Sequence, residues 1–136
     1  MILPLLKVKN VDASVKFYVE KLGFNNAFNM QGPDGVNAFA FVDLGKPTIG
    51  LSLAQGDNSG AGKGVEFMVY LPDETDIDAY YADVKGRGVK IEAELATQYW
   101  GDRTFTIHDP DGYVITVSKT VKEMTFEEAE ANRGNQ

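Results

Sequence analysis

Apolar and polar residues alternate in several short segments of the chain, and this pattern predicts β-strands with one buried face. Near the N-terminus, Leu6 and Val8 alternate with Lys7 and Lys9, which is typical of a half-exposed strand. The later segments 37–42 and 48–53 are also predicted to be strands.

The same alternation recurs in the second half of the chain. From residue 65 to residue 71, Glu66, Met68 and Tyr70 alternate with four apolar residues, and Pro72 ends the segment. This pattern places the three residues on one face of a strand. A hairpin is predicted from strands 103–108 and 113–118, because the sequence Asp-Pro-Asp-Gly at 109–112 favours a turn.

Helical spacing follows the first strand of each half. Asp12 is a suitable N-cap, apolar residues then recur at intervals of three or four, and Gly23 is a suitable C-terminal stop. The second helix is predicted to begin at Thr75 or Asp76 and to end at Gly86 or Gly88. A third, acidic helix is predicted in the tail, where Thr125 and Glu128 have the spacing of a capping box.

An internal repeat links the two halves. Val-Asp-Ala at 11–13 resembles Ile-Asp-Ala at 77–79, and Phe39 and Asp43 have counterparts in Phe105 and Asp109 at the same separation along the chain. We therefore predict one domain over residues 1–120, with module one at about 1–55 and module two at about 63–120. The polar, glycine-rich stretch 55–64 would join them, and residues 121–136 would form a separate tail.

Composition narrows the functional classes. The chain has 136 residues, no cysteine and a formal net charge of −7. Disulfides and thiolate ligands are therefore excluded, and an acidic chain of this kind repels nucleic acid phosphates. The acidic charge is more compatible with a cationic or neutral small molecule as the partner, or it simply keeps the protein soluble. The sequence has neither a membrane-length apolar run nor a signal-peptide pattern, so we expect a cytoplasmic protein.

Several motifs resemble those of the glyoxalase/bleomycin-resistance (vicinal oxygen chelate) proteins. They are Pro4, Val-Asp-Ala-Ser-Val-Lys-Phe-Tyr at 11–18, Leu-Gly-Phe at 22–24, Trp-Gly-Asp-Arg-Thr-Phe at 100–105 and Asp-Pro-Asp-Gly at 109–112. The resemblance covers about residues 4–120. It implies an α+β fold in which two βαβββ modules form a cup-shaped sheet, and a homodimer that can exchange its first strand at Pro4.

Metal-dependent members of this family carry four His, Glu or Gln ligands on the cup. Carried over residue by residue, those positions are Leu5, Gly50, Glu66 (or Val65 in the neighbouring register) and Thr116. One carboxylate among four positions does not make a transition-metal site. We therefore expect no metal and no other cofactor, which weakens the prediction of a metal-dependent lyase, isomerase or dioxygenase.

Aromatic residues supply the first candidates for ligand binding. Trp100 and Tyr99 lie in a polar segment beside a glycine, where an indole could stack on a planar ligand or contact a cation. Trp100 could equally fill a dimer interface. Phe28 is the second candidate, since the resemblance implies a groove aromatic there. Its alternative role is to anchor a polar loop over residues 25–35.

Four further candidates have polar or flexible side chains. Glu66 could neutralise a cationic ligand or act as a base, or it could be an ordinary solvated carboxylate. Met68 and Thr116 are predicted to line the same cup. His108, the single histidine, could act as a lone acid or base, since imidazole titrates near neutral pH, or it could be a strand-end surface residue. Together the candidates favour a binding protein that sequesters a planar or cationic antibiotic.

Overall fold

A computed structural model describes residues 3–45 and 51–134, except for the side chain of Leu51. The elements follow one another as β1 (Leu5–Val8), α1 (Val11–Lys16) with a π-helical continuation (Phe17–Lys21), β2 (Asn25–Gln31), β3 (Asn37–Asp43), β4 (Leu51–Gln55), β5 (Glu66–Tyr70), α2 (Ile77–Gly86), β6 (Ile91–Thr97), β7 (Asp102–His108), β8 (Val114–Thr120) and α3 (Phe126–Arg133). Residues 48–50 of the predicted fourth strand, Gly50 among them, lie outside the described residues.

The strands form two four-stranded sheets with the same topology. Their orders are β1-β4-β3-β2 and β5-β8-β7-β6. In the first sheet β1 runs parallel to β4, whereas β3 pairs antiparallel with both β2 and β4. The α+β fold and the repeated βαβββ module that the sequence predicts are therefore confirmed.

Inter-residue distances divide the chain into two compact units. Unit one comprises Met1–Glu66 and His108–Val114, and unit two comprises Phe67–Ile107 and Ile115–Gln136. Each unit buries apolar side chains between its own helix and sheet. The buried apolar residues are Leu6, Val8, Val11, Tyr18, Leu22, Phe24, Ala40, Val42, Leu44 and Leu53 in unit one, and Val69, Leu71, Ile77, Val84, Val89, Phe105, Ile107, Ile115 and Val117 in unit two.

Helix capping agrees with the sequence at three sites and differs at one. Asp76 caps α2, Thr125 caps α3, and Gly23 has a φ of +75°, as a glycine that ends a helix requires. The N-cap of α1 is Asn10 rather than Asp12. Asn10 has an extended backbone and its side chain accepts a hydrogen bond from the Ala13 amide, whereas Asp12 lies one residue inside the first turn.

Two strands of the fold have no clear alternation in the sequence. These are β2 and β6, which lie at the edges of their sheets. All seven residues of β2 are exposed, so no buried face imposes a period of two on them. The predicted loop at 25–35 is therefore wrong for residues 25–31, and Phe28 stands on a strand.

The sequence favours five phenylalanines, at 17, 39, 41, 67 and 105, as core residues, and this prediction is correct for only one of them. Phe105 is buried, but Phe17, Phe39, Phe41 and Phe67 are only half-buried. The strand register explains the contrast between Phe39 and Phe105. The helices of the two modules begin at equivalent positions of the repeat, but β7 begins one residue earlier in its module than β3 does. A shift of one residue turns a strand side chain to the other face. Phe105 accordingly packs on Tyr81 of α2, whereas Phe39 contacts Phe28 on β2.

The turn at 109–112 is hydrogen-bonded to α1 and to its π-helical continuation within unit one. The Tyr18 hydroxyl donates to the Asp109 carboxylate over 2.8 Å, and both residues are buried. Asp111 accepts hydrogen bonds from the Lys9 amide, the Ser14 hydroxyl and the Asn58 side chain. Burial raises the pKa of the Asp109 carboxyl above its ordinary value. The Asp-Pro-Asp-Gly motif therefore has a structural role in unit one.

Candidate ligand-binding site

Trp100 lies in a tight turn between β6 and β7 in unit two. The Gly101 amide donates to the Gln98 carbonyl, and the Gln98 amide donates to the Asp102 carbonyl, so the turn is closed on both sides. Gly101 has a φ of +100°, and a Cβ there would overlap the Lys122 carbonyl oxygen. The glycine after Trp100 is thus required by both backbone conformation and space.

A buried carboxylate fixes the tip of the indole. Asp102 is 5% exposed and accepts three side-chain hydrogen bonds. Its Oδ2 accepts from Tyr70 Oη over 2.8 Å and from Trp100 Nε1 over 3.1 Å, and its Oδ1 accepts from Thr120 Oγ1 over 2.8 Å. A buried charge needs several such donors, and these donors are in turn held in one geometry.

Tyr70 reaches this carboxylate from across a strand. Tyr70 is on β5 and Asp102 is on β7, and β8 lies between those two strands in the sheet. The tyrosine side chain therefore lies over β8. The hydrogen bond to Asp102 is the main reason that the pKa of the Tyr70 hydroxyl is raised, which keeps that hydroxyl a neutral donor.

Trp100 and Tyr70 both remain partly exposed although their polar tips are bonded. Trp100 is 38% exposed and Tyr70 is 46% exposed. The ring of Tyr99 meets Trp100 edge-on at a centroid distance of 5.0 Å, and the Tyr99 carbonyl accepts a hydrogen bond from Asn132 of α3. Met68, also exposed, is on β5 with Tyr70. These four residues form what we call the aromatic site: Met68, Tyr70, Tyr99 and Trp100.

Hydroxyl groups cover the neighbouring part of the sheet. Gln98 donates from its side chain to Thr104 Oγ1 over 3.1 Å, and the hydroxyls of Thr106 and Thr116 are 2.9 Å apart. Thr116 is buried, at the position where the sequence predicts a cup residue, with Ile115 and Val117 alternating to the opposite face. Small neutral hydroxyls of this kind suit hydrogen bonding to a ligand better than charge neutralisation.

Phe28 belongs to a different apolar surface, in unit one. Phe28 and Met30 share one face of β2 and lie opposite Phe41 and Phe39 on β3. Phe28 is 52% exposed, and its ring meets that of Phe39 at a centroid distance of 6.3 Å. The residue is therefore supported by its neighbours and open on one side, as a ligand contact requires.

The polar candidates occupy less enclosed positions. Glu66 begins β5 and is exposed, so burial of its carboxylate is not observed. His108 ends β7 and is also exposed, as expected for a strand-end histidine. Neither residue is part of the hydrogen-bond network around Asp102.

The residues at the metal-ligand positions that the resemblance implies do not fit a transition metal. Leu5 has no donor atom, and the Thr116 hydroxyl is neutral and lies beside Thr106. Within residues 3–45 and 51–134, no three His, Asp or Glu side chains are grouped so that they could hold a metal ion. We derive no chemistry through a metal.

Comparison with known proteins identifies the family. A model of the glyoxalase/bleomycin resistance protein/dioxygenase superfamily matches residues 3–117. The chain belongs to this superfamily. A probable lactoylglutathione lyase of Synechocystis is 28% identical over 120 residues, which covers 85% of this chain and 92% of that protein. No helix among the described residues is long and apolar enough to cross a membrane.

Solved structures of other proteins share the fold. TioX from Micromonospora has a TM-score of 0.70 at 21% identity, with coverage of 92% of this chain and 99% of its own. TnmS3, an antibiotic-binding protein from Streptomyces, has a TM-score of 0.65 at 26% identity, with coverage of 88% and 96%. The first likeness shows the fold alone. The second places an antibiotic-binding protein among the structural neighbours.

Sequence reasoning missed the residues that organise the aromatic site. The sequence shows Asp102 only as part of a motif, and it shows Tyr70 only as a residue that shares a strand face with Glu66. One signal was available: Asp102 has the same strand parity as Thr104 and Thr106, so the pattern placed a carboxylate at the end of a polar sheet face. Its three donors come from β5, the turn and β8, and that convergence is a tertiary property.

Proposed function

We propose that the protein binds and sequesters a planar or cationic small molecule, such as an antibiotic, without a metal. The observation that carries this proposal is the buried Asp102 carboxylate, which holds the Tyr70 hydroxyl and the Trp100 indole nitrogen at 2.8 and 3.1 Å. The polar tip of Trp100 is thereby satisfied, so the exposed part of its indole is available for stacking or for a cation.

Rigidity supports a binding role. A side chain that is already ordered loses little rotamer freedom when a ligand binds, and this raises affinity. The edge contact with Tyr99 and the closed turn around Gly101 restrict Trp100 further. The net charge of −7 favours a ligand with a positive group over an anion.

A fluorescence titration tests the proposal, because Trp100 is the single tryptophan of the chain. We expect copper-free bleomycin, which joins planar rings to positive charge, to quench Trp100 saturably. Calorimetry should show that Trp100→Ala weakens binding by about 30-fold, the effect of losing an aromatic anchor worth about 2 kcal/mol.

Phe126→Ala is a matched control, because it truncates another exposed aromatic residue, on α3. It should leave the affinity unchanged. An unchanged affinity in Trp100→Ala, or the absence of binding by any planar cationic compound in a panel of such antibiotics, would contradict the proposal.

A metal-dependent lyase, isomerase or extradiol-type dioxygenase is the second candidate. The likeness to the Synechocystis protein, itself a probable lactoylglutathione lyase, favours it. Elemental analysis after mild dialysis separates the two candidates. Stoichiometric nickel, zinc, iron or manganese would favour the enzyme, and loss of the metal in Glu66→Ala would identify Glu66 as a ligand.

We also propose a homodimer, as superfamily members often form one. Size-exclusion chromatography with light scattering would give about 30 kDa for a dimer of this 14.9 kDa chain. Exchange of β1 at Pro4 is tested by the same measurement on Pro4→Ala, which should shift the monomer–dimer balance if Pro4 is the hinge.

A further inference from the structure

One buried hydroxyl on the polar face of β8 has no partner among the described residues. Ser118 is 0% exposed, and its Oγ makes no hydrogen bond there. Alternation along β8 puts Ser118 on the same face as Thr116 and Thr120. Both threonines do have partners, in Thr106 and Asp102. A buried hydroxyl without a protein partner can pair with an ordered water or with a ligand.

Tyr70 lies near this hydroxyl. β5 neighbours β8 in the sheet, and the Leu71 amide donates to the Ser118 carbonyl over 2.9 Å, so Tyr70, the residue before Leu71, is close to Ser118. From there the tyrosine side chain crosses β8 to reach Asp102. Asp102 also accepts hydrogen bonds from Trp100 and Thr120, so the position of Trp100 does not depend on the contact between Tyr70 and Asp102.

We propose that Ser118 is the polar recognition group of the aromatic site and donates a hydrogen bond to a carbonyl on the edge of a planar ligand. The Tyr70 ring turns aside to admit that edge, while Trp100 contacts the ring system. The inference rests on the proposed function and narrows its ligand class to planar polycyclic carbonyl compounds, such as quinones. A donor role follows because an orphaned donor is rarer in proteins than a spare lone pair.

Two matched probes test the ligand class. They are 2-(aminomethyl)anthraquinone and 2-(aminomethyl)anthracene, which share a three-ring skeleton and an ammonium group but differ in the ring carbonyls. Each is titrated into the full chain while Trp100 fluorescence is followed. One hydrogen bond corresponds to a roughly 3- to 10-fold change in affinity. We expect the quinone-to-hydrocarbon affinity ratio to fall by that factor in Ser118→Ala.

Thermal unfolding without ligand provides an independent readout. Ser118→Ala removes no described hydrogen bond, so its Tm should equal or exceed that of the parent chain. Ser14→Ala is the matched control, because Ser14 is equally buried but donates to Asp111 over 3.4 Å, and its Tm should fall. Tyr70→Phe keeps the ring and removes the bond to Asp102. It should tighten binding of the quinone about 2-fold or more, since the ring turns more easily.

Each alternative result has a defined meaning. An unchanged affinity ratio in Ser118→Ala, or a Tm that falls as it does in Ser14→Ala, would overturn the role of Ser118. Weaker quinone binding by Tyr70→Phe would overturn the movement of the tyrosine ring. If both probes quench Trp100 equally, the inference fails and the proposed function stands. If neither probe binds, both the inference and the aromatic ligand class fail.

Discussion

Replacing Tyr18 with phenylalanine removes a single hydroxyl from the interior of unit one. That hydroxyl donates to Asp109 Oδ2 over 2.8 Å, and the two residues are 0% and 5% exposed. Asp109 Oδ1 keeps its bonds from the amides of Asp111 and Tyr113. The substitution therefore leaves one buried carboxylate oxygen without a protein donor, which costs about 2–3 kcal/mol of unfolding free energy when the carboxylate is charged.

The loss should depend on pH with a definite sign. Burial raises the pKa of Asp109, and the hydrogen bond from Tyr18 opposes that rise, so the pKa climbs further in Tyr18→Phe. A raised carboxyl pKa contributes stability that is fully present below the ordinary carboxyl pKa and is lost as pH rises through the raised value. The destabilisation by Tyr18→Phe should therefore be about 1 kcal/mol where Asp109 is protonated and should grow toward neutral pH.

Urea denaturation at pH 7 and near pH 4 measures this difference. With a slope of about 2 kcal/mol per molar urea, the midpoint at pH 7 should fall by roughly 1–1.5 M. Tyr113→Phe is the matched control, since its hydroxyl donates to the Lys7 carbonyl at an exposed position, and its smaller loss should be the same at both pH values. A pH-independent loss in Tyr18→Phe would refute the assignment of its effect to the Asp109 charge.

Substitutions at three further positions probe unit two. Gly101→Ala places a Cβ against the Lys122 carbonyl oxygen at a φ of +100°. Thermal unfolding should therefore show that the free energy of unfolding falls by at least about 3 kcal/mol. A fall of less than about 1 kcal/mol would contradict the close approach. Asp102→Ala should weaken bleomycin binding about 10-fold and make Trp100 more accessible to the quencher iodide. Asp102→Asn can still pair with Trp100 and should lose less binding affinity. Equal losses of affinity in the two variants would argue against a positioning role for Asp102. Asp78→Ala breaks the exposed ion pair with Arg103 and should change the midpoint of urea unfolding by less than about 0.5 M. A larger change would show that this ion pair stabilises the fold more than an exposed pair usually does.

Local patterns in the sequence determined the elements that have one buried face. The strands at β1, β3, β5, β7 and β8 and the two main helices follow from alternation and from helical spacing, because burial imposes those periods on the residues. The caps Asp76 and Thr125 and the stop at Gly23 follow from chemistry within one helical turn. The motifs at 11–18, 100–105 and 109–112 were also sufficient to indicate the family.

Tertiary structure decided what these patterns leave open. The edge strands β2 and β6 lack a buried face, so their hydrogen bonds to a neighbouring strand define them. The one-residue difference between the third strands of the two modules determined that Phe39 stays half-exposed while Phe105 enters the core. Such a shift depends on strand register, which the common spacing of the repeated motifs does not fix.

The aromatic site shows the same division. Trp100 stands out in the sequence because an indole in a polar, glycine-flanked turn is poorly placed for packing. Tyr70 and Thr120 donate to the same carboxylate as Trp100, but they are distant from it in sequence and lie on two different strands. They meet at Asp102 because the sheet order brings β5, β8 and β7 side by side. The residue types were visible in the sequence, but their convergence on one buried carboxylate follows from strand order.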